Sequence, residues 1–96
     1  MQIQITQIKE ASQVLRAINH KLRREIYGYL LRHGKVCVTQ LYKDLGLEQS
    51  VASSHLAILR KQGFVKTTRE GRFVYYSANE RRLKEVSELS QMLIEK

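Results

Sequence analysis

The change of period at Gly63 constrains the fold more than any other feature of this sequence. Before it, apolar residues recur at three- and four-residue steps, as in helices that bury one face. After it, "FVKTTREGRFVYYS" is rich in β-branched and aromatic residues on both sides of Glu70-Gly71. Thr, Val, Phe and Tyr suit a pleated surface, and the central glycine suits a tight turn. The pattern predicts a β-hairpin over residues 64–77. A helical pattern returns over residues 80–94, where Leu83, Val86, Leu89, Met92 and Leu93 cover a broad apolar arc.

The upstream part divides into four helices. Ile8, Ala11, Leu15 and Ile18 give the first one a helical period over residues 6–18. The second runs from Lys21 to His33, with Leu22, Ile26, Tyr29 and Leu30 on one face and Gly34 as its stop. The third starts at Thr39, a residue type that caps helix N-termini, and ends at Gly46. The fourth begins at Glu48 or Gln49 and runs to Gln62, with Gly63 as its stop. Two helices joined across Gly46-Leu47 make a helix-turn-helix. Followed by a hairpin and a last helix, they predict a mainly α chain with a β-hairpin. This is a winged helix-turn-helix (α-α-α-α-β-β-α), forming a single domain over residues 1–96.

Charge narrows the choice of partner. The chain has 17 Lys and Arg against 9 Asp and Glu, a net charge of +8. Residues 1–46 carry eight basic and three acidic residues, net +5, and residues 47–79 carry five and two, net +3. Residues 80–96 carry four of each, net zero. Such an excess on the body of a small chain points first to a polyanion such as nucleic acid. The neutral last segment suits a protein interface instead. Ile5, Ile8, Leu15, Leu83, Val86, Leu89 and Leu93 offer more apolar surface than two terminal helices need in a monomer, so a homodimer is expected. No run of eighteen apolar residues is present, so no membrane span is expected. The start "MQIQITQIKE" lacks the pattern of a signal peptide. The single cysteine excludes an internal disulfide and fits a cytoplasmic protein.

The fourth helix carries the sharpest functional signal. On a helical wheel, Ala52, Leu56 and Leu59 cluster on one side, flanked by Val51, His55 and Ile58. The other side holds Ser50, Ser53, Ser54, Ala57, Arg60 and Lys61, with Gln49 at its edge. Small residues let a helix approach closely, as entry into the major groove requires. Ser and Gln hydrogen-bond base edges or phosphates, and helix N-terminal amides favour phosphate. Ordinary capping would account for a serine at the first turn, but not for three serines and an alanine on one outward stripe. Arg69 and Arg72 bracket the hairpin tip, where arginines reach phosphates or a narrow minor groove. His55, at the border of the core arc, suits a hydrogen bond to backbone or phosphate rather than base reading. His20 and His33 stand elsewhere in the sequence, so no metal cluster with His55 is expected.

"LRAINHKLRREIYGYLLRHG", "LYKDLGLEQSVASSHLAILRKQGFV" and "TTREGRFVYYS" together resemble the ArsR/SmtB family of winged-helix repressors. The match covers residues 15–77, and Ser-x-His-Leu at Ser53 to Leu56 is among its more specific parts. The resemblance implies a cytoplasmic homodimer that represses transcription at an inverted-repeat operator. It places DNA contact on Gln49, Ser50, Ser53, Ser54 and His55, with the wing at Arg69 and Arg72. It also implies that the first and last helices form the dimer interface. A two-fold dimer spaces its recognition helices by about 34–36 Å, one DNA turn. Glu48 departs from the serine that many members carry. An acid there suits the helix dipole but would repel a nearby phosphate.

Metal-sensing relatives carry Cys-x-Cys at the start of the third helix, where this chain has Cys37 and Thr39. Others use Asp and His on the last helix, and "ERRLKEVSELSQMLIEK" has neither. A soft-metal site needs three or four ligands, so no metal and no cofactor are expected. A single cysteine among valines is more often a small buried hydrophobe than a reactive thiol. Two alternatives stay open: a sensor of metal or thiol stress acting through Cys37, and a winged helix that docks on protein. The inducer is not defined by the sequence. No acid/base pair, activated nucleophile or phosphate-binding glycine loop points to an enzyme.

Overall fold

The computed structural model describes residues 5–94, with side chains described over 11–88. The helices are α1 (Ile5–Ile18), α2 (Lys21–His33), α3 (Val38–Leu45), α4 (Gln49–Lys61) and α5 (Glu80–Ile94). The strands are β1 (Val36–Cys37), β2 (Val65–Glu70) and β3 (Phe73–Ala78). The hairpin of β2 and β3 gains β1 as a third strand, in the order β1-β3-β2, all antiparallel. The architecture is that of a winged helix-turn-helix.

One apolar cluster gathers the inner faces of the elements. α1 contributes Val14 and Ala17, α2 contributes Ile26, Tyr27, Tyr29 and Leu30, and α3 contributes Leu41. α4 adds Ala52, Leu56 and Leu59, the hairpin entrance adds Phe64 and Val65, and α5 adds Val86. Tyr27 lies in this core and Leu22 only at its edge, because the buried arc of α2 is centred between them. Phe64 is fully buried, packed edge-on against Tyr27, and stands just before β2 rather than in it. Val51 and Ile58, expected to flank the core, are 36% and 37% exposed. The buried arc of α4 is therefore narrow.

The start of α3 differs from expectation. Thr39 is not the N-cap. Val36 and Cys37 pair with Tyr76 and Tyr75 of β3, so the helix begins directly after the strand. Cys37 occupies the cap position in an extended conformation, with no side-chain capping bond, and Thr39 falls inside the first turn. Cys37 is half-buried rather than part of the buried core. At the other end of α3, Gly46 adopts φ 66° and ψ 34°, a left-handed conformation that favours glycine. The Leu47 amide then donates to the Tyr42 carbonyl at 2.8 Å, closing the turn into α4. The Tyr29 hydroxyl donates to Asp44 at 2.6 Å, which ties α2 to the end of α3. Burial and that carboxylate push the Tyr29 phenol up to about 12.

Strand β3 leads to α5 through Asn79. Its amide nitrogens donate to the carbonyls of Phe64 at 2.7 Å and Gly63 at 2.9 Å, and its own carbonyl accepts from Tyr27 at 3.2 Å. The Arg82 Nε donates to the Gln62 carbonyl at 2.8 Å. These bonds fasten both ends of the hairpin to the helical core. α5 packs on α1. Val86, assigned from the sequence to a surface between copies, is only 4% exposed and belongs to the core of its own chain. Leu15 is partly buried against the same core, whereas Leu83 is 38% exposed. The side chains of Ile5, Ile8, Leu89 and Leu93 lie outside the described ones.

The narrow buried arc of α4 makes neighbouring positions unequal. Leu59→Ala should cost about 2–5 kcal/mol, the usual range for a fully buried leucine. Ile58→Ala, one residue away, should cost less than about 1 kcal/mol. Urea denaturation of the two variants measures the difference, and equal losses would refute this orientation of the helix.

Candidate nucleic-acid interface

The buried stripe of Ala52, Leu56 and Leu59 turns the opposite side of α4 to solvent. Gln49, Ser50, Ser53, Ser54, Ala57, Arg60 and Lys61 are all exposed. They run in one stripe from a small, uncharged N-terminal half to a cationic end. Glu48 precedes them as the N-cap residue, exposed, with no capping bond from its side chain. The free amides of the first turn therefore remain available to an anion.

The hairpin stands beside this stripe. Residues Glu70 and Phe73 pair at its end, so Gly71 and Arg72 form the turn. Gly71 takes φ 63°, as the first central residue of a tight hairpin turn often does. Cross-strand partners share a sheet face, and alternate residues face opposite ways. Arg69 thus lies on the same face as Thr67, Val74 and Tyr76. Tyr76 borders an open groove of about 360 Å³ between α4 and the hairpin. Ser53, Leu56, Ala57, Arg60 and Lys61 form its other wall. Arg69 and Arg72 are both exposed. Glu70, the acid between them, pairs with Lys35, whose ammonium also lies 5.4 Å from the Tyr75 ring centre. The hairpin tip therefore presents positive charge. Tyr76 was not among the candidate residues, because a single tyrosine in a strand carries no functional pattern of its own.

His55 makes a contact that its sequence position did not indicate. Its Nδ1 accepts a hydrogen bond from Arg23 Nε at 3.2 Å. His20, distant in sequence, brings its ring to a centroid distance of 4.8 Å from that of His55. His20 is also the N-cap of α2, its Nδ1 accepting from the Leu22 amide at 3.2 Å. The two histidines thus meet because the α1–α2 turn packs beside α4. Among the described residues, no group of three or more His, Cys, Asp or Glu could hold a metal ion. Nor is any described helix long and apolar enough to cross a membrane.

A helix-turn-helix whose second helix exposes such a stripe beside a cationic hairpin defines a class, the winged helix-turn-helix regulators. Residues 20–67 match the family model described as bacterial regulatory protein, arsR family, and the chain belongs to that family. An HTH-type transcriptional regulator of Methanocaldococcus jannaschii is 32% identical over 81 residues, which are 84% of this chain and 91% of that one. The transcriptional repressor PagR of Bacillus anthracis is 32% identical over 77 residues, 80% of this chain and 77% of its own. Its crystal structure superposes with a TM-score of 0.71 over 90% of this chain and 99% of that one. The crystal structure of NolR from Sinorhizobium fredii gives 0.75 at 30% identity, covering 96% of both chains.

The contact between Arg23 of α2 and His55 of α4 depends on pH. Burial, then the neighbouring His20 and Arg23, hold the His55 pKa below the usual 6.5. The unfolded chain then takes up this proton at higher pH than the folded one. The contribution to stability is complete above about pH 6.5 and is lost as pH falls toward the folded value. In His55→Asn, an amide oxygen accepts from Arg23 without titrating. Its urea midpoint should fall less than that of the natural chain between pH 7 and pH 5. Equal pH slopes would refute the assignment.

Proposed function

We propose that the chain is a sequence-specific DNA-binding repressor that acts as a cytoplasmic homodimer on an inverted-repeat operator. α4 serves as the recognition helix and the β2–β3 hairpin as the wing. The exposed stripe of Gln49, Ser50, Ser53 and Ser54 leading to Arg60 and Lys61 carries this reading. In it, the serines and Gln49 meet base edges and phosphates as the small face enters the major groove. Arg60, Lys61, Arg69 and Arg72 hold the flanking phosphates. His55 supports this surface through Arg23 rather than reading a base. The repressor function of PagR supports the direction of regulation.

The dimer in this proposal is built from α1 and α5, which pack together and leave Leu83 exposed. Leu15, Ile5, Ile8, Leu89 and Leu93 complete the interface, without Val86. A two-fold axis there sets the two copies of α4 about 34–36 Å apart, one turn of DNA.

A mobility-shift assay on DNA upstream of the protein's own gene tests the proposal. A discrete complex should form at low salt and weaken as salt rises, because cations on phosphates displace counterions. The Ser53→Glu variant should abolish it. Arg72→Ala should weaken binding similarly on all sequences and reduce the salt slope by about one per protomer. No complex at low salt, or unchanged affinity in both Arg72→Ala and Lys61→Ala, would sink the DNA reading. The second result would favour docking on a protein.

A further inference from the structure

A second groove flanks α4 on the side away from the hairpin, between α1, α2 and α4, with a volume of about 330 Å³. Its apolar surface is Ile58, 37% exposed, while Ala17 beneath it is only 2% exposed. Arg16, Arg23 and Lys61 bring three cations to it, and Gln13 and Gln62 add two amides. None of the lining residues is acidic. The ion pairs among the described residues join Lys35 to Glu70 and Arg81 and Arg82 to Glu85, so none offsets these three charges. A concavity lined by one sign of charge focuses its field on the opposite one.

The site has a fixed element. Arg23 donates through Nε to His55 and through Nη1 to the carbonyls of Arg16 at 3.2 Å and Ala17 at 3.4 Å. These bonds anchor the guanidinium and leave Nη2 outside them. A held guanidinium loses little freedom when it binds an anion, and Nη2 keeps donors for one carboxylate oxygen. The volume lies at the low end of small-molecule sites. A DNA phosphate would use the cations alone and leave Ile58 uncovered.

We propose that this groove binds a small organic carboxylate, with its anionic head among Arg16, Arg23 and Lys61 and its apolar body on Ile58. Lys61 lines both this groove and the one facing the hairpin. A bound carboxylate holds the Lys61 ammonium on the α1 side and withdraws it from a phosphate. The groove is thus an inducer site, a conclusion that rests on the DNA-binding role proposed above.

Sodium hexanoate is the probe, titrated into the full chain labelled with ¹⁵N and followed by NMR. Saturable shifts are expected at the amides of Ala17, Arg23, Ile58 and Gln62. Hexanamide, which lacks the charge, and sodium acetate, which lacks the body, should each bind at least about tenfold more weakly. Arg16→Gln should weaken hexanoate binding about fivefold or more. The Arg16 side chain makes no hydrogen bond or ion pair among the described residues and has no assigned DNA contact. Operator affinity of Arg16→Gln without hexanoate should therefore stay within about twofold. Hexanoate should release the natural chain from operator DNA and act more weakly on the variant. Non-saturable shifts, equal binding of hexanamide, or unchanged hexanoate affinity in Arg16→Gln would overturn the site. Groove amides that respond to operator DNA but not to hexanoate would make it a phosphate contact and overturn it too. Hexanoate binding without release of DNA would overturn the inducer role. Absence of a DNA complex before any hexanoate is added would instead refute the DNA-binding reading, since the NMR titration uses no DNA.

Discussion

Burial of Ala52, Leu56 and Leu59, each at most 1% exposed, is the constraint on which the rest of the structure depends. These side chains place α4 against α1, α2, α3 and the start of the hairpin. Loss of water from that one face fixes the rotation of the helix about its axis. Every outward residue is then determined by the period of the helix. Ser50, Ser53, Ser54 and Ala57 can be small because they contribute nothing to the core. Their exposure is a consequence of packing on the other side, and their chemistry is free to serve recognition.

Arg23 holds the next level of organisation. A guanidinium with several donors in one plane can satisfy groups from different elements at once. Here it joins the carbonyl end of α1 to His55 of α4. The helix expected to form a dimer is thereby linked, through Arg23 of α2, to the helix expected to meet DNA. His20 sits beside this joint and caps α2. Any event that alters the joint, by protonation of His55 or by an anion at Arg23, acts on both helices together.

Much of the fold was legible because its elements follow local rules. The bounds of α2 and α5 agree with the periodic pattern, and the turn from α3 into α4 lies at Gly46-Leu47, as its glycine indicated. The hairpin is displaced by one residue, since Phe64 is drawn into the core instead of the sheet. Strand β1 was not legible. Two residues carry no period, and only the hydrogen bonds offered by β3 make them a strand. That pairing also removed Thr39 from the cap, a role which its residue type alone had favoured. The same limit applies to Val86. An apolar arc on a terminal helix does not state which part of it faces its own chain and which part another.

The candidate interface divides in the same way. The sequence by itself determined the stripe on α4, because residues on one helix are related by a fixed angle and need no other element to define their face. It also determined that Arg69 and Arg72 lie near a turn, because Gly71 marks one. Only the tertiary structure decided which charges remain free, since Lys35 reaches Glu70 from a distant part of the chain. It alone brought His20 and Arg23 to His55, and Arg16, Arg23 and Lys61 to one groove. Those meetings depend on how three helices pack, and packing is set by the whole core rather than by any local run of residues.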